Sequence, residues 1–118
     1  MTQNYSETIK QHYHYPLNAG KLSHYTHTAE QINPLCGDET RVYLKVDNDV
    51  IKDISHKTRG CMICAAATSV VSEYARGKKI SEIKKLGSSD VAKLLQVSIS
   101  PARQSCATLF INAIKYHV

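Results

Sequence analysis

The chain has no tryptophan, one phenylalanine and three prolines among its 118 residues. No apolar run approaches the ~18 residues of a membrane span, so a membrane role is not expected. The first residues, Met1-Thr2-Gln3-Asn4-Tyr5-Ser6-Glu7, lack the basic and apolar regions of a secretory leader. A cytoplasmic location with reduced cysteines is the expectation. Internal repeats, low-complexity tracts and linkers are also missing. Residues 1–118 therefore read as one domain, long enough to bury a core without disulfide staples. The net charge is +5, but the basic residues are scattered, with one modest cluster at Arg76, Lys78, Lys79, Lys84 and Lys85. Zinc-finger spacing and RNA-binding aromatic motifs are absent, so nucleic acid is not an expected partner. The cluster reads as a solvated helix face or a docking surface for an acidic protein.

Against these absences stand four cysteines, and they narrow the function most. They lie in three separated phrases: Cys36-Gly37-Asp38, Gly60-Cys61-Met62-Ile63-Cys64 and Ser105-Cys106-Ala107. In a reducing compartment such clusters bind metal or do catalysis more often than they form disulfides. Brought together, the segments would make a soft anionic pocket for zinc, iron or an iron–sulfur cluster.

The expected fold class is α+β: a small antiparallel three-stranded sheet with helices packed on one face, preceded by an N-terminal helix. Tyr5, Ile9 and His12 or Tyr13 recur at helical spacing over residues 3–14, and residues 15–24, broken by Pro16 and Gly20, read as loop. Thr40–Val46 alternates, Asp47-Asn48-Asp49 signals a turn, and Val50–Thr58 resumes as a strand. A weaker strand is expected over 25–32. Cys61–Ala75 is a small-residue helix stopped by Gly77. Short helices follow at 80–86 and 90–95. A final helix starts at Ser100-Pro101 and carries Cys106, Leu109, Phe110, Ala113 and Ile114 on its buried side.

Each cysteine phrase has a plain reading beside the chemical one. Asp38 alone is most simply an exposed turn residue on a loop that Gly37 lets turn sharply. Cys61 stands at a strand-to-helix junction, where unpaired backbone N–H groups and the positive end of the helix dipole face its sulfur. Cys64, three residues on, shares that helical face, yet its alanine neighbours suggest close packing. Cys106 alone would be core. The Cys61-x-x-Cys64 spacing also occurs in dithiol redox proteins, but they place it after an early strand in an alternating β/α order, so redox exchange is not expected. Three cysteines at three element boundaries are better explained by one shared ligand.

The whole chain resembles the IscU/SufU/NifU-type iron–sulfur cluster assembly scaffolds. The resemblance rests on His12-Tyr13, Pro16, Asn18 and Gly20 near the N-terminus, and on Asn33-Pro34-Leu35-Cys36-Gly37-Asp38. Gly60-Cys61 with its small-residue helix and Pro101-Ala102-Arg103-Gln104-Ser105-Cys106-Ala107-Thr108-Leu109 complete it. It implies a scaffold, not an enzyme. Cys36, Asp38, Cys61 and Cys106 would ligate a transient [2Fe–2S] cluster, or zinc in the resting form. It further implies a cysteine desulfurase that delivers sulfur, with Cys106 the acceptor, and recipient apoproteins that take the cluster. The alternative is a zinc-dependent sulfurtransfer protein using the same ligands. A third is a structural zinc-binding interaction module. Three thiolates and a harder carboxylate should hold a cluster but release it. Around Zn²⁺ they would leave about two excess negative charges, which Arg103, Lys57 or Arg59 could offset.

The chain also departs from its resemblance. Ser105 stands where the IscU branch has histidine. Val97–Pro101 replaces the Leu-Pro-Pro-Val-Lys chaperone motif, so an HscA-type partner is not expected. The third cysteine motif is SufU-like, but the usual SufU insertion before it is missing. Leu17 replaces an arginine. Cys64 occupies a place where relatives tend to have a small residue such as serine, which makes it a candidate additional ligand able to replace Asp38.

Overall fold

The computed structural model describes residues 7–118, so the expected helical contribution of Tyr5 lies outside the described residues. Helix α1 (Glu7–His14) buries Ile9. Three strands follow, β1 (His27–Ile32), β2 (Glu39–Asp47) and β3 (Val50–Arg59), paired antiparallel in the order β1-β2-β3. Val42, Leu44, Ile54 and Ala29 are buried on the sheet face that joins the core. Register places Arg41 opposite Glu30 and Lys57, and Lys45 opposite Asp53, on the other face. This period-2 separation of apolar from charged residues orients the sheet.

The β2–β3 hairpin closes on Asn48 and Asp49, both at positive φ (52° and 66°), with Asp47 paired to Val50. Two left-handed central residues match the right-handed twist of the strands. Helix α2 (Met62–Ala75) then crosses the molecule, almost every inward position being Ala, Ser, Thr, Val or Cys. Its small residues let α1 and β3 approach closely. Gly77, at φ 85°, ends it as the turn pattern anticipates. Helices α3 (Ile80–Ile83) and α4 (Ser88–Leu95) lead to a 3₁₀ turn at Pro101–Arg103, α5 (Gln104–Ala107) and α6 (Leu109–His117). Helix α6 packs on β1 and β2.

Two local expectations differ from the structure. Helix α3 is shorter than residues 80–86. The last helix is not continuous: Thr108 (φ −102°, ψ 6°) interrupts it, and its Oγ1 donates to the Gln104 carbonyl at 2.9 Å. Side-chain bonding to the preceding turn competes with regular helical geometry. The expected inward set, Cys106, Leu109, Phe110, Ala113 and Ile114, is buried all the same.

Residues 15–24 are loop as expected, but tightly tied. Ala19 bridges His56 in parallel, so this segment extends the β3 edge. Ser69 and Ser72 of α2 hold it: the Leu17 N–H donates to Ser69 Oγ at 2.8 Å, and Asn18 Nδ2 donates to Ser72 Oγ at 3.0 Å. His12 Nδ1 lies 2.7 Å from the same Ser69 Oγ. Among the cluster of basic residues, Arg76 pairs with Asp53 at 2.7 Å, Lys78 lies over the Tyr74 ring, and Lys84 donates to the Val118 carbonyl. These three side chains are engaged within the chain. Among the described residues no helix is long and apolar enough to cross a membrane.

Candidate metal centre

Three elements deliver the donors. The first is the turn between β1 and β2. Asn33 N–H donates to the Asp38 carbonyl at 2.8 Å and the Gly37 N–H to the Asn33 carbonyl at 2.7 Å. Gly37 sits at φ 79°, where a side chain would be strained. This closes the loop so that Cys36 is exposed while Asp38 turns inward, only 6% exposed. The plain reading of Asp38 as an exposed turn residue is therefore overturned. The second element is the β3–α2 junction, where Cys61 is the N-cap of α2 and its sulfur accepts the Cys64 N–H at 3.4 Å. The third is α5, which carries Cys106 into the interior at 3% exposure.

Cys36 Sγ, an Asp38 carboxylate oxygen and Cys106 Sγ all lie within 4.8 Å of one another. The two sulfurs are 3.7 Å apart. A tetrahedral zinc with Zn–S bonds near 2.3 Å separates its thiolates by roughly 3.8 Å. Cys61 joins through its backbone, its N–H donating to Asp38 Oδ1 at 3.3 Å. Its sulfur is not in the set that lies mutually within 4.8 Å, yet it is near enough to the Cys106 thiol to hydrogen-bond with it.

The donor set fits a thiophilic cation. Asp38 Oδ2 is buried without a hydrogen-bond partner, a situation that costs about 1–3 kcal/mol for an ordinary polar group. A cation would satisfy it. Burial, followed by the hydrogen bond with Cys36 and the nearby Cys61, pushes the Cys106 thiol up to about 12. Burial pushes Cys64 up as well, reinforced by Asp38 and the other three thiols. Without a cation these sulfurs stay protonated, so metal entry must release protons.

The expected charge-balancing residues lie on exposed positions around the site. Arg59 is exposed and pairs with Glu39 at 3.4 Å, Lys57 is exposed on β3, and Arg103 is exposed at the end of the 3₁₀ turn. A groove of about 1050 Å³ is lined by Tyr13, Pro16, Arg41, Lys57 and Gly60 among others, and none of the four cysteines lines it. Cys36 stands exposed, Cys61 is half-buried, and Cys106 and Cys64 are buried.

One positioning residue was not read from the motifs. Buried Asn33 donates through Nδ2 to Ser105 Oγ at 3.0 Å and accepts the Leu35 N–H through Oδ1 at 3.0 Å. It ties the Cys36 loop to the residue preceding Cys106. An asparagine before proline at a strand end signals a turn, but nothing local signals its distant partner.

A family model described as the NifU-like N-terminal domain matches residues 4–118. The chain belongs to this NifU-type family. Iron sulfur cluster assembly protein 1 of Trachipleistophora hominis is 35% identical across 96% of this chain and 83% of its own length. The Archaeoglobus fulgidus iron–sulfur cluster assembly scaffold protein IscU 1 is 32% identical, covering 94% and 72%. Among solved structures, one from Fervidobacterium islandicum is described as a candidate cluster assembly scaffold for the SUF system. It superposes with a TM-score of 0.83 at 26% identity, over 96% of this chain and 95% of that one. The α+β fold and the family resemblance are thus both borne out.

Proposed function

We propose that this chain is a cytoplasmic scaffold, rather than an enzyme, on which a labile [2Fe–2S] cluster is assembled and passed to recipient apoproteins. The observation that carries this reading is the convergence of Cys36, Asp38 and Cys106 within 4.8 Å, with Cys61 beside them. Three thiolates favour an iron–sulfur core, and one carboxylate makes the grip weaker than four would. In the resting form the same donors hold zinc.

Sulfur arrives as a persulfide on a cysteine desulfurase. Cys106 Sγ attacks the outer sulfur, the sulfur–sulfur bond to the desulfurase cysteine breaks, and the Cys106 proton passes to the departing desulfurase sulfur. Cys106 is nearly inaccessible, so the incoming persulfide passes exposed Cys36, whose sulfur lies 3.7 Å from it. Val97–Pro101 provides no chaperone motif, and no HscA-type partner is included.

Anaerobic purification and reconstitution test the reading. Iron and sulfide in equal amounts, with cluster transfer to an apoprotein acceptor, are expected. Stable zinc and strong desulfurase stimulation without any reconstitutable cluster would replace the scaffold with the zinc-dependent sulfurtransfer protein.

A further inference from the structure

We infer that Cys64 is a fifth donor of this site, able to take the place of Asp38 and convert a three-thiolate, one-carboxylate centre into a four-thiolate one. The inference rests on the scaffold reading and deepens it. Gly60 shows the juxtaposition. A Cβ built there would lie 2.8 Å from Asp38 Cγ, 3.0 Å from Asp38 Oδ1 and 3.0 Å from Cys64 Sγ. The carboxylate and the thiol therefore converge on one side-chain-free spot, from the β1–β2 turn and from the first turn of α2.

Asp38 supplies the second observation. It is 94% buried by its 6% exposure, and its Oδ2 has no partner. The Asp38 oxygen nearest the Gly60 spot is Oδ1, held by the Cys61 N–H at 3.3 Å, so the carboxylate beside Cys64 is half satisfied and its other oxygen is free for a cation. Cys64 itself is 0% exposed, which removes it from thiol exchange with solutes. Cys64 packs in the core beside Ala66 and Ala67, and of these only Cys64 also brings a donor atom to the spot it shares with the carboxylate.

The two donor sets differ in grip. Oxygen is the harder ligand and yields a thiophilic cation more readily, whereas four thiolates retain it. On exchange, one metal–oxygen bond breaks, one metal–sulfur bond forms, and the Cys64 proton passes to solvent. No oxidation is involved. The site then has a releasing state with Asp38 and a retaining state with Cys64, both using Cys36, Cys61 and Cys106.

Cobalt(II) titration of the metal-free full chain tests this, because sulfur-to-cobalt charge-transfer absorption counts thiolate ligands. Wild type and Cys64→Ala should give the same three-thiolate tetrahedral spectrum. Asp38→Ala should stay tetrahedral, with charge-transfer absorption per cobalt raised by about one third as a fourth thiolate enters. The double variant should return to the three-thiolate intensity. Asp38→Asn, alone and with Cys64→Ala, repeats the comparison if Asp38→Ala does not fold by circular dichroism. Identical spectra for an Asp38 variant with and without Cys64 would overturn the exchange while leaving the scaffold reading intact. A wild-type band weakened by Cys64→Ala would overturn it differently, making Cys64 the resident ligand. A wild type with no thiolate–cobalt band would sink the scaffold reading itself.

Discussion

Gly60 matters for the space it leaves, since its φ lies outside the left-handed region and any residue could adopt it. Substituting Gly60→Ala would press a methyl into the Asp38 carboxylate and the Cys64 sulfur. Relieving such contacts costs about 1–3 kcal/mol, and disturbing a ligand's support lowers metal affinity by about 10–100-fold. Thermal melting and competition with a zinc chelator check this. An unchanged melt and affinity would mean that the strand-to-helix corner yields freely. At this scale the thiols were legible because cysteine is rare and its chemistry narrow. Asn33 was not, because its partner Ser105 is 72 positions away, and an asparagine before a proline reads equally well as an ordinary turn residue.

Among the elements, the β2–β3 hairpin was the most readable, since alternation and a polar turn are local signals. Its two turn residues carry a cost. Asp49 holds φ 66°, a region in which glycine is free and most side chains are strained. Asp49→Gly removes that strain at the expense of a weak 3.4 Å contact from Ser81. A small net gain is expected, since glycine is the preferred second residue of such a turn, seen as a higher denaturation midpoint with unchanged slope. A lower midpoint would show that the Ser81 contact and the unfolded-state freedom of glycine outweigh the strain. The final helix shows the opposite case. Its apolar spacing correctly named the buried residues but concealed the interruption at Thr108. Periodicity reports which side is buried, whereas a hydroxyl bonding back to Gln104 changes the path without disturbing that side. The interruption lets Cys106 sit on a separate four-residue turn, with α6 continuing over the sheet.

For the whole molecule, His56 links the parts. It is 2% exposed, edge-on to Phe110, with Nε2 2.9 Å from the Leu17 carbonyl oxygen. As a neutral ring it donates from Nε2 and accepts from Thr58 Oγ1 at Nδ1, 3.0 Å away. Burial lowers its pKa below 6.5, and burial lowers His12 likewise. Their unfolded forms therefore bind protons first as pH falls, and the stability of the neutral rings is lost progressively below about pH 6.5. The metal-free protein should melt lower at pH 5.5 than at pH 7.5, and His56→Asn should flatten that dependence. An equal pH dependence in His56→Asn would remove His56 as its source. Composition and local pattern determined the α+β class, the hairpin, the small-residue helix and the candidate ligands, because residue chemistry and short-range periodicity are written locally. Only the tertiary structure decided that Asp38 is buried with one oxygen unpartnered, that Cys61 caps α2 beside the Cys106 thiol, and that Cys64 meets Asp38 across Gly60. Those facts depend on how a turn, a helix N-terminus and a distant four-residue helix converge, and chain order does not encode that distance.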